Sequence, residues 1–265
     1  MTPRDPLHGR DLSAFADRLA RLKQFTPARI GLGRAGTAQP TAASLKFSLD
    51  HARARDAVHA ALDFDAIAGV LRAHGWTPIH VQSAAGDRTD YLRRPDLGRR
   101  LSPSGRSIVA RLQPKCDVAI TAADGLSSSA IVANLLPTLT CLRPLLQRRG
   151  LTTGPLVLVE QGRVAIGDEV GELMDATLAL VLIGERPGLS AADSLGAYIT
   201  WRPRVGAMDS SRHCISNIRA AGLPPEEAAS QIDDLIGRAF VHEATGVRLN
   251  ELCFAGTAIP AIERR

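Results

Sequence analysis

At 265 residues, with 45% hydrophobic and 22% charged side chains, the chain has an ordinary globular composition and enough length for one large domain or a core with an appendage. The formal charge of +5 invites a nucleic-acid reading, but no Lys/Arg block exceeds two residues and aromatics make up only 4%, so a basic stripe and a stacking platform are both missing. Cys116, Cys141, Cys214 and Cys253 lie far apart with no CxxC pair, which excludes a zinc ribbon and offers no disulfide framework. The longest apolar run, from Ala176 to Gly184, falls short of a membrane span, and the N-terminus carries no apolar secretory segment. The expected compartment is the reducing cytoplasm.

In chain order, Met1 to His8 reads as a lead without structure, and Asp11 starts a helix with Phe15, Leu19 and Leu22 on one face. Gly31, Gly33 and Gly36 spell GxGxxG. The dinucleotide fingerprint needs an apolar strand before it and a helix directly after it. Here Pro27 precedes it and Thr37 to Pro40 is polar, so a structural turn is expected. Thr41 caps a helix running towards Leu62 with a solvated, salt-bridged face, and Phe64 to His74 is a further helix ended by Gly75. Thr77 to Ser83 is the first expected strand, Arg88 to Arg100 a basic loop, and Ser104 to Leu112 a helix.

From Cys116 the pattern alternates. Asp117 to Thr121 is a strand, Ala123 to Ser129 a Ser-rich turn, and Ala130 to Arg148 a crossover helix containing Pro137 and Pro144. Val157 to Val159 is a buried strand. Gly167 opens a helix with Val170, Leu173 and Met174 at i, i+3 and i+4, and Thr177 to Ile183 is another apolar strand. Ala197 to Trp201 adds a strand, the RHCISN stretch is placed at a helix start, and Pro224-Pro225 begins a last helix with Ala228, Ile232, Leu235 and Ile236 on one face. The expected fold class is α/β: a doubly wound, Rossmann-like parallel sheet over residues 77–265 after a helical N-terminal region over 1–76. Ligands of such sheets bind beyond the carboxyl ends of the strands, where Gly184-Glu185-Arg186-Pro187-Gly188 is a candidate binding loop.

No self-sufficient catalytic set accompanies that loop. Gly125-Leu126-Ser127-Ser128-Ser129 lacks the second glycine of a hydrolase elbow, so its serines are expected to cap the crossover helix. His213 and Cys214 are adjacent, and neighbours in sequence do not normally face each other as a dyad. No His/Cys/Asp/Glu cluster has metal-ligand spacing. Gly/Pro/charged loops above strand ends, without such a set, suit a cofactor-holding domain better than a complete enzyme.

The segments ARIGLGRAG, LDHARARDAV, YLRRPDLGRRL, DGLSSSAI, GRVAIGDEVGE, LIGERPGLSAADSLGAY, RHCISNI and GLPPEEAA, in that order over roughly residues 28 to 247, resemble the small subunit of ethanolamine ammonia-lyase. The resemblance implies an adenosylcobalamin enzyme whose large subunit, a TIM barrel, carries the ethanolamine site and most catalytic residues. It implies a Rossmann-like domain in this chain, the corrinoid between the two subunits of a hetero-oligomer, and radical conversion of ethanolamine to acetaldehyde and ammonia. The cofactor supplies the hard chemistry and the protein binds and orients it. Carried over by motif, the cobalamin contacts fall on Val164, Glu185 and Cys214, with Arg163, Arg186 and Gly188 as neighbours. The chain lacks DxHxxG, so the cofactor is expected base-on, with no histidine as cobalt ligand. The extreme N-terminus departs from the family in being short, without an amphipathic targeting helix. The expectation is therefore the cytoplasm, with a bacterial microcompartment as the alternative. No nucleic-acid or membrane partner is expected.

Overall fold

The structure is a computed structural model that describes residues 18–254 apart from 20, 27, 113 and 114. The lead over Met1–His8 and most of the helix expected from Asp11 lie outside the described residues, although 18, 19, 21 and 22 are helical. The chain divides into two compact units, Met1–Arg53 and Ala54–Arg265.

In the first unit the GxGxxG letters form a turn. Gly31, Gly33 and Gly36 all have positive φ (58°, 79° and 64°), and Ala35 and Ala38 exchange backbone hydrogen bonds of 2.9 and 3.2 Å. No strand leads into the loop, and helix α1 (Thr41–His59) begins only after Pro40. Arg29 donates to Asp50 at 2.7 Å and lies 5.5 Å from the centre of the Phe47 ring. α1 buries none of its residues fully, as its dense charge predicts.

The second unit holds helix α2 (Phe64–Ala73) and a six-stranded sheet: β1 (Pro78–Gln82), β2 (Val118–Ala123), β3 (Leu156–Glu160), β4 (Leu178–Gly184), β5 (Leu195–Trp201) and β6 (Arg212–Ile218). The spatial order is β1-β3-β2-β4-β5-β6. The first four strands are parallel, and β5 runs antiparallel to both of its neighbours, β4 and β6, so the sheet is mixed and not wholly parallel. A short link without a helix joins β4 to β5, and a chain that makes no crossover must reverse direction. Side chains alternate between two cores. Val118, Ile120, Leu156, Leu158, Leu178, Leu180 and Leu182 face one, shared with α2, α5 (Ser128–Arg148) and α7 (Pro225–His242). Ala119, Ala123, Val157, Val159, Val181 and Ile183 face the other, beside α6 (Ile166–Leu173). Remaining helices are α3 (Arg88–Arg93), α4 (Pro103–Leu112) and α8 (Gly246–Phe254).

Two local expectations are corrected. Arg88 to Arg100 is not a loop. Asp87 caps α3 by accepting from the Asp90 N–H at 2.8 Å, Tyr91 is fully buried beneath it, and Leu97–Arg99 adds a 3₁₀ turn. RHCISN is a strand, not a helix start. Ile215 and Ile218 are both buried although three residues apart, a spacing that reads as helical. Asn217 at φ 62° and a register shift opposite Leu195/Ala197 mark a bulge that returns Ile218 to the core face.

α5 stays one helix through Pro137 and Pro144. By length and apolarity alone it would cross a membrane, but Leu135, Leu139, Leu142 and Leu146 form a stripe buried in the core. α6 approaches β4 through glycine: a Cβ on Gly167 would sit 2.0 Å from Val181 Cγ2, inside a strand that is buried throughout. Gly167→Ala is therefore expected to cost about 1–3 kcal/mol by overpacking. A urea unfolding midpoint equal to that of the parent would show that the helix can shift freely.

Candidate functional site

The loops that leave β2, β3 and β4 at their carboxyl ends meet, as the crevice rule for α/β sheets requires. Leu126 N–H donates to the Gly184 carbonyl at 2.9 Å, joining two of them. A Cβ on Gly184 would lie 2.1 Å from the Ser127 carbonyl oxygen, so this approach depends on glycine. The three serines after Gly125 spend their hydroxyls on structure. Ser127 caps α5 and donates to Ala192 O at 2.6 Å, Ser128 donates to Ala60 O at 2.7 Å, and Ser129 donates to Ala192 O at 3.1 Å. With Asn134, which donates to Asp193 O at 2.8 Å, Ser127 and Ser129 pin the loop that carries Glu185 and Arg186.

A cavity of about 370 Å³ opens between these loops. Arg163 and Val164 line it from the loop after β3, and Glu185 and Arg186 from the loop after β4. Four of the six residues singled out from sequence thus share one wall. Cys214 does not line the cavity but is its neighbour: it lies opposite Tyr198, which does line it, across the β5–β6 ladder. Gly188 stands apart in an exposed turn, paired with Ala191 by backbone bonds of 3.0 and 3.3 Å. Glu185 is held firmly, since its Oε2 accepts from Ser194 Oγ at 2.6 Å and from the Asn217 N–H at 3.1 Å.

Sequence reasoning missed Tyr91 and Tyr198, the chain's two tyrosines, which both line this cavity. In a chain so poor in aromatics, that scarcity was the available signal. Burial pushes Tyr91 up to about 12, and burial followed by the Cys214 thiol pushes Tyr198 up as well. The Cys214 thiol is also raised, chiefly by desolvation, with the neighbouring Tyr198 phenol pulling the other way. At neutral pH both tyrosines and the thiol beside them are thus uncharged, and of the three Tyr198 is the one that can face the cavity. His213 and Cys214 do not form a dyad. His213 Nδ1 accepts from the Gly246 N–H at 2.8 Å, and its Nε2 lies 3.1 Å from Asn250 Oδ1, as alternation along a strand dictates.

Beneath the cavity Asp124 is almost wholly buried. It accepts from the Gln161 N–H at 2.7 Å and from Arg88 Nη1 at 3.2 Å. Desolvation pushes its carboxyl up to about 6, against the pull of Arg88. A folded value above the unfolded one, about 3.9, means that the stability this group contributes is present below that lower value and is lost as pH rises through about 6. Asp124→Asn should accordingly flatten the fall in stability between about pH 4 and 7. Parallel slopes for variant and parent in chemical unfolding would contradict the assignment.

A larger cleft, about 740 Å³, lies at the other end of the sheet beside Thr177, Trp201 and Arg202. It lies away from the carboxyl ends of the parallel strands, and three of its charged groups are engaged locally: Arg202 with Glu243 at 3.1 Å, and Glu172 with the Val205 N–H at 2.9 Å.

The family description "Ethanolamine ammonia-lyase light chain" matches residues 16–250. A protein of Xanthomonas campestris pv. campestris described as ethanolamine ammonia-lyase small subunit is 49% identical over 239 residues, covering 89% of this chain and 88% of its own. Proteins of the same description from Pseudomonas syringae pv. tomato (46% over 245 residues; 91% of this chain, 85% of the relative) and Pseudomonas aeruginosa (48% over 234 residues; 87% and 86%) are similar along nearly the same span.

Proposed function

The chain belongs to the ethanolamine ammonia-lyase light-chain family, and on that premise we propose that it holds adenosylcobalamin, base-on, against a large catalytic subunit. It is a subunit of an ammonia-lyase that acts as part of a complex. The observation that supports the reading is the convergence of Arg163, Val164, Glu185 and Arg186 on one cavity at the strand ends, with Cys214 opposite the wall residue Tyr198 on the neighbouring strand. We take the helix-covered sheet as a doubly wound, Rossmann-like cofactor domain from residue 77, preceded by a helical region over 1–76. The assembly is placed in the cytoplasm, with a microcompartment as the alternative.

The residues present fit a corrinoid. A cavity of about 370 Å³ suits part of a drug-sized molecule, so this chain takes one side of the larger cofactor and leaves the rest to the partner. Both hydrogen bonds to Glu185 fall on Oε2, which leaves Oε1 to accept from an amide N–H of the corrin periphery. Val164 offers an apolar contact, and the neutral Tyr198 adds a polar group without charge. The base-on reading rests on the sequence, which lacks the DxHxxG motif.

When bound, adenosylcobalamin supplies the radical chemistry that takes ethanolamine to acetaldehyde and ammonia. This chain's part is orientation. The pinned loop fixes Glu185, the Arg163 guanidinium and the Val164 side chain hold one flank, and the close approach of Gly184 to Ser127 holds the two loops together. Glu185→Ala, purified in complex with the large subunit, is expected to weaken adenosylcobalamin retention by about 1–3 kcal/mol, read by equilibrium dialysis. Unchanged retention would reduce the chain to a scaffold for its partner.

A further inference from the structure

Tyr91 forms part of the cavity wall yet has no solvent-exposed surface, so it cannot itself touch a ligand. Its ring lies between two guanidinium groups, with Arg163 4.2 Å and Arg88 4.8 Å from its centre, and its phenol donates to Gly162 O at 3.1 Å. Arg88 is a fixed backing: Nε donates to Val58 O at 2.7 Å, and Nη1 to Gly125 O at 2.8 Å and to Asp124. Arg163 is gripped from the same segment, by its N–H to Gly98 O at 2.7 Å and Nη2 to Tyr91 O at 2.9 Å. A Cβ on Gly98 would lie 2.8 Å from Arg163 Cγ and 3.0 Å from Tyr91 Cε2, so the 3₁₀ turn closes on both side chains at once.

Arg163 nevertheless keeps binding capacity. Among the described residues no carboxylate pairs with it, and its Nε is buried with no hydrogen-bond partner beyond the ring face. A half-buried guanidinium that lines a cavity, held in place by stacking and backbone contacts and paired with no carboxylate among the described residues, is arranged for an acceptor oxygen of a ligand.

Resting on the cofactor-holding role proposed above, we infer that Arg163 donates to an acceptor oxygen of the cobalamin, an amide carbonyl or the nucleotide phosphate, and that Tyr91 is the positioning residue that aims it. The segment Arg88–Arg99 is then a clamp on the cofactor site, built from residues that do not reach the ligand.

The test uses the complex with the large subunit, and equilibrium binding of adenosylcobalamin and of dicyanocobinamide, which lacks the nucleotide and its phosphate. Tyr91→Phe keeps the stacked ring and should bind within about threefold of the parent, whereas Tyr91→Leu and Arg163→Met should each weaken adenosylcobalamin binding about tenfold or more. The double variant should be no weaker than Arg163→Met alone, because Tyr91 acts through Arg163. Equal losses for both ligands assign an amide carbonyl, and a loss confined to adenosylcobalamin assigns the phosphate. Unfolding midpoints of each complex separate lost binding from lost fold. If Tyr91→Leu does not fold, Gly98→Ala, which pushes on Arg163 with the ring intact, should weaken binding in its place. Additive losses in the double variant, or parental affinity in Arg163→Met, would overturn the inference. A parental complex that binds no cobalamin would instead overturn the reading on which it rests.

Discussion

Replacing Arg212 with methionine is expected to destabilise the fold by about 3–5 kcal/mol, the usual consequence of removing one partner of a buried ion pair. Arg212 lies on β6 and Asp168 on α6, and both side chains are almost fully buried in contact with each other. Arg212 also donates to Asp209 at 2.6 Å and to Ala207 O at 2.9 Å, so one side chain ties the outermost antiparallel strand, the 3₁₀ turn before it and the helix under the sheet. Without the guanidinium, the Asp168 carboxylate is left in a poor solvent for charge. Burial already holds its pKa above the ordinary carboxylate value despite the pull of Arg212. With the folded value raised, stability from this group is present at low pH and is lost as pH rises through that value. The cost of Arg212→Met should therefore be larger at pH 8 than at pH 5 in urea unfolding. A second substitution, Asp168→Leu, should restore part of the loss by removing the orphaned charge. A cost that did not change with pH would mean that packing of the arginine stem, and not its charge, holds β6.

The next largest effect is expected in the main core. Leu139 is wholly buried on the leucine stripe of α5, among side chains from the sheet and from α7. Leu139→Ala removes apolar contacts and leaves a cavity that neighbours on two layers cannot both fill, for a cost of about 2–5 kcal/mol. On the same helix Val132 is 63% exposed, and Val132→Ser should change stability by less than about 1 kcal/mol. Similar losses at both positions would argue that helix propensity, not the core, sets the stability of α5.

The parts of the fold that were legible in the sequence are those whose burial is continuous. The apolar runs of β2, β3 and β4 and the face Ala228, Ile232, Leu235 and Ile236 on α7 are driven by hydrophobic burial, and burial leaves a periodic record. What was hidden depends on tertiary partners. α3 is too short to show a period and is held by the Asp87 cap and the buried Tyr91. β6 was misread because its bulge gives two core isoleucines a helical spacing. The direction of β5 was hidden too, since an apolar strand looks the same whichever way it runs. At the site, motif resemblance singled out loop residues that a cavity does bring together, apart from Gly188 and with Cys214 one residue removed. The tyrosine behind Arg163 left no motif of its own, because its work is done by a ring face against two arginines distant in sequence.

The strand order also bears on how the protein is made. Among the described residues β1 is the first strand to leave the ribosome, and its one neighbour in the sheet is β3, with Pro78 opposite Leu156 and Gln82 opposite Glu160. Until the intervening chain has been translated, β1 has nothing to pair with, and the long loop must close before the contact is rewarded. During that interval Val81 and its backbone donors are open to mispairing with other nascent chains. Yield in a foreign host should thus respond to slower translation across residues 83–155 and to added chaperone, a sensitivity set by topology and not by the stability of the finished fold.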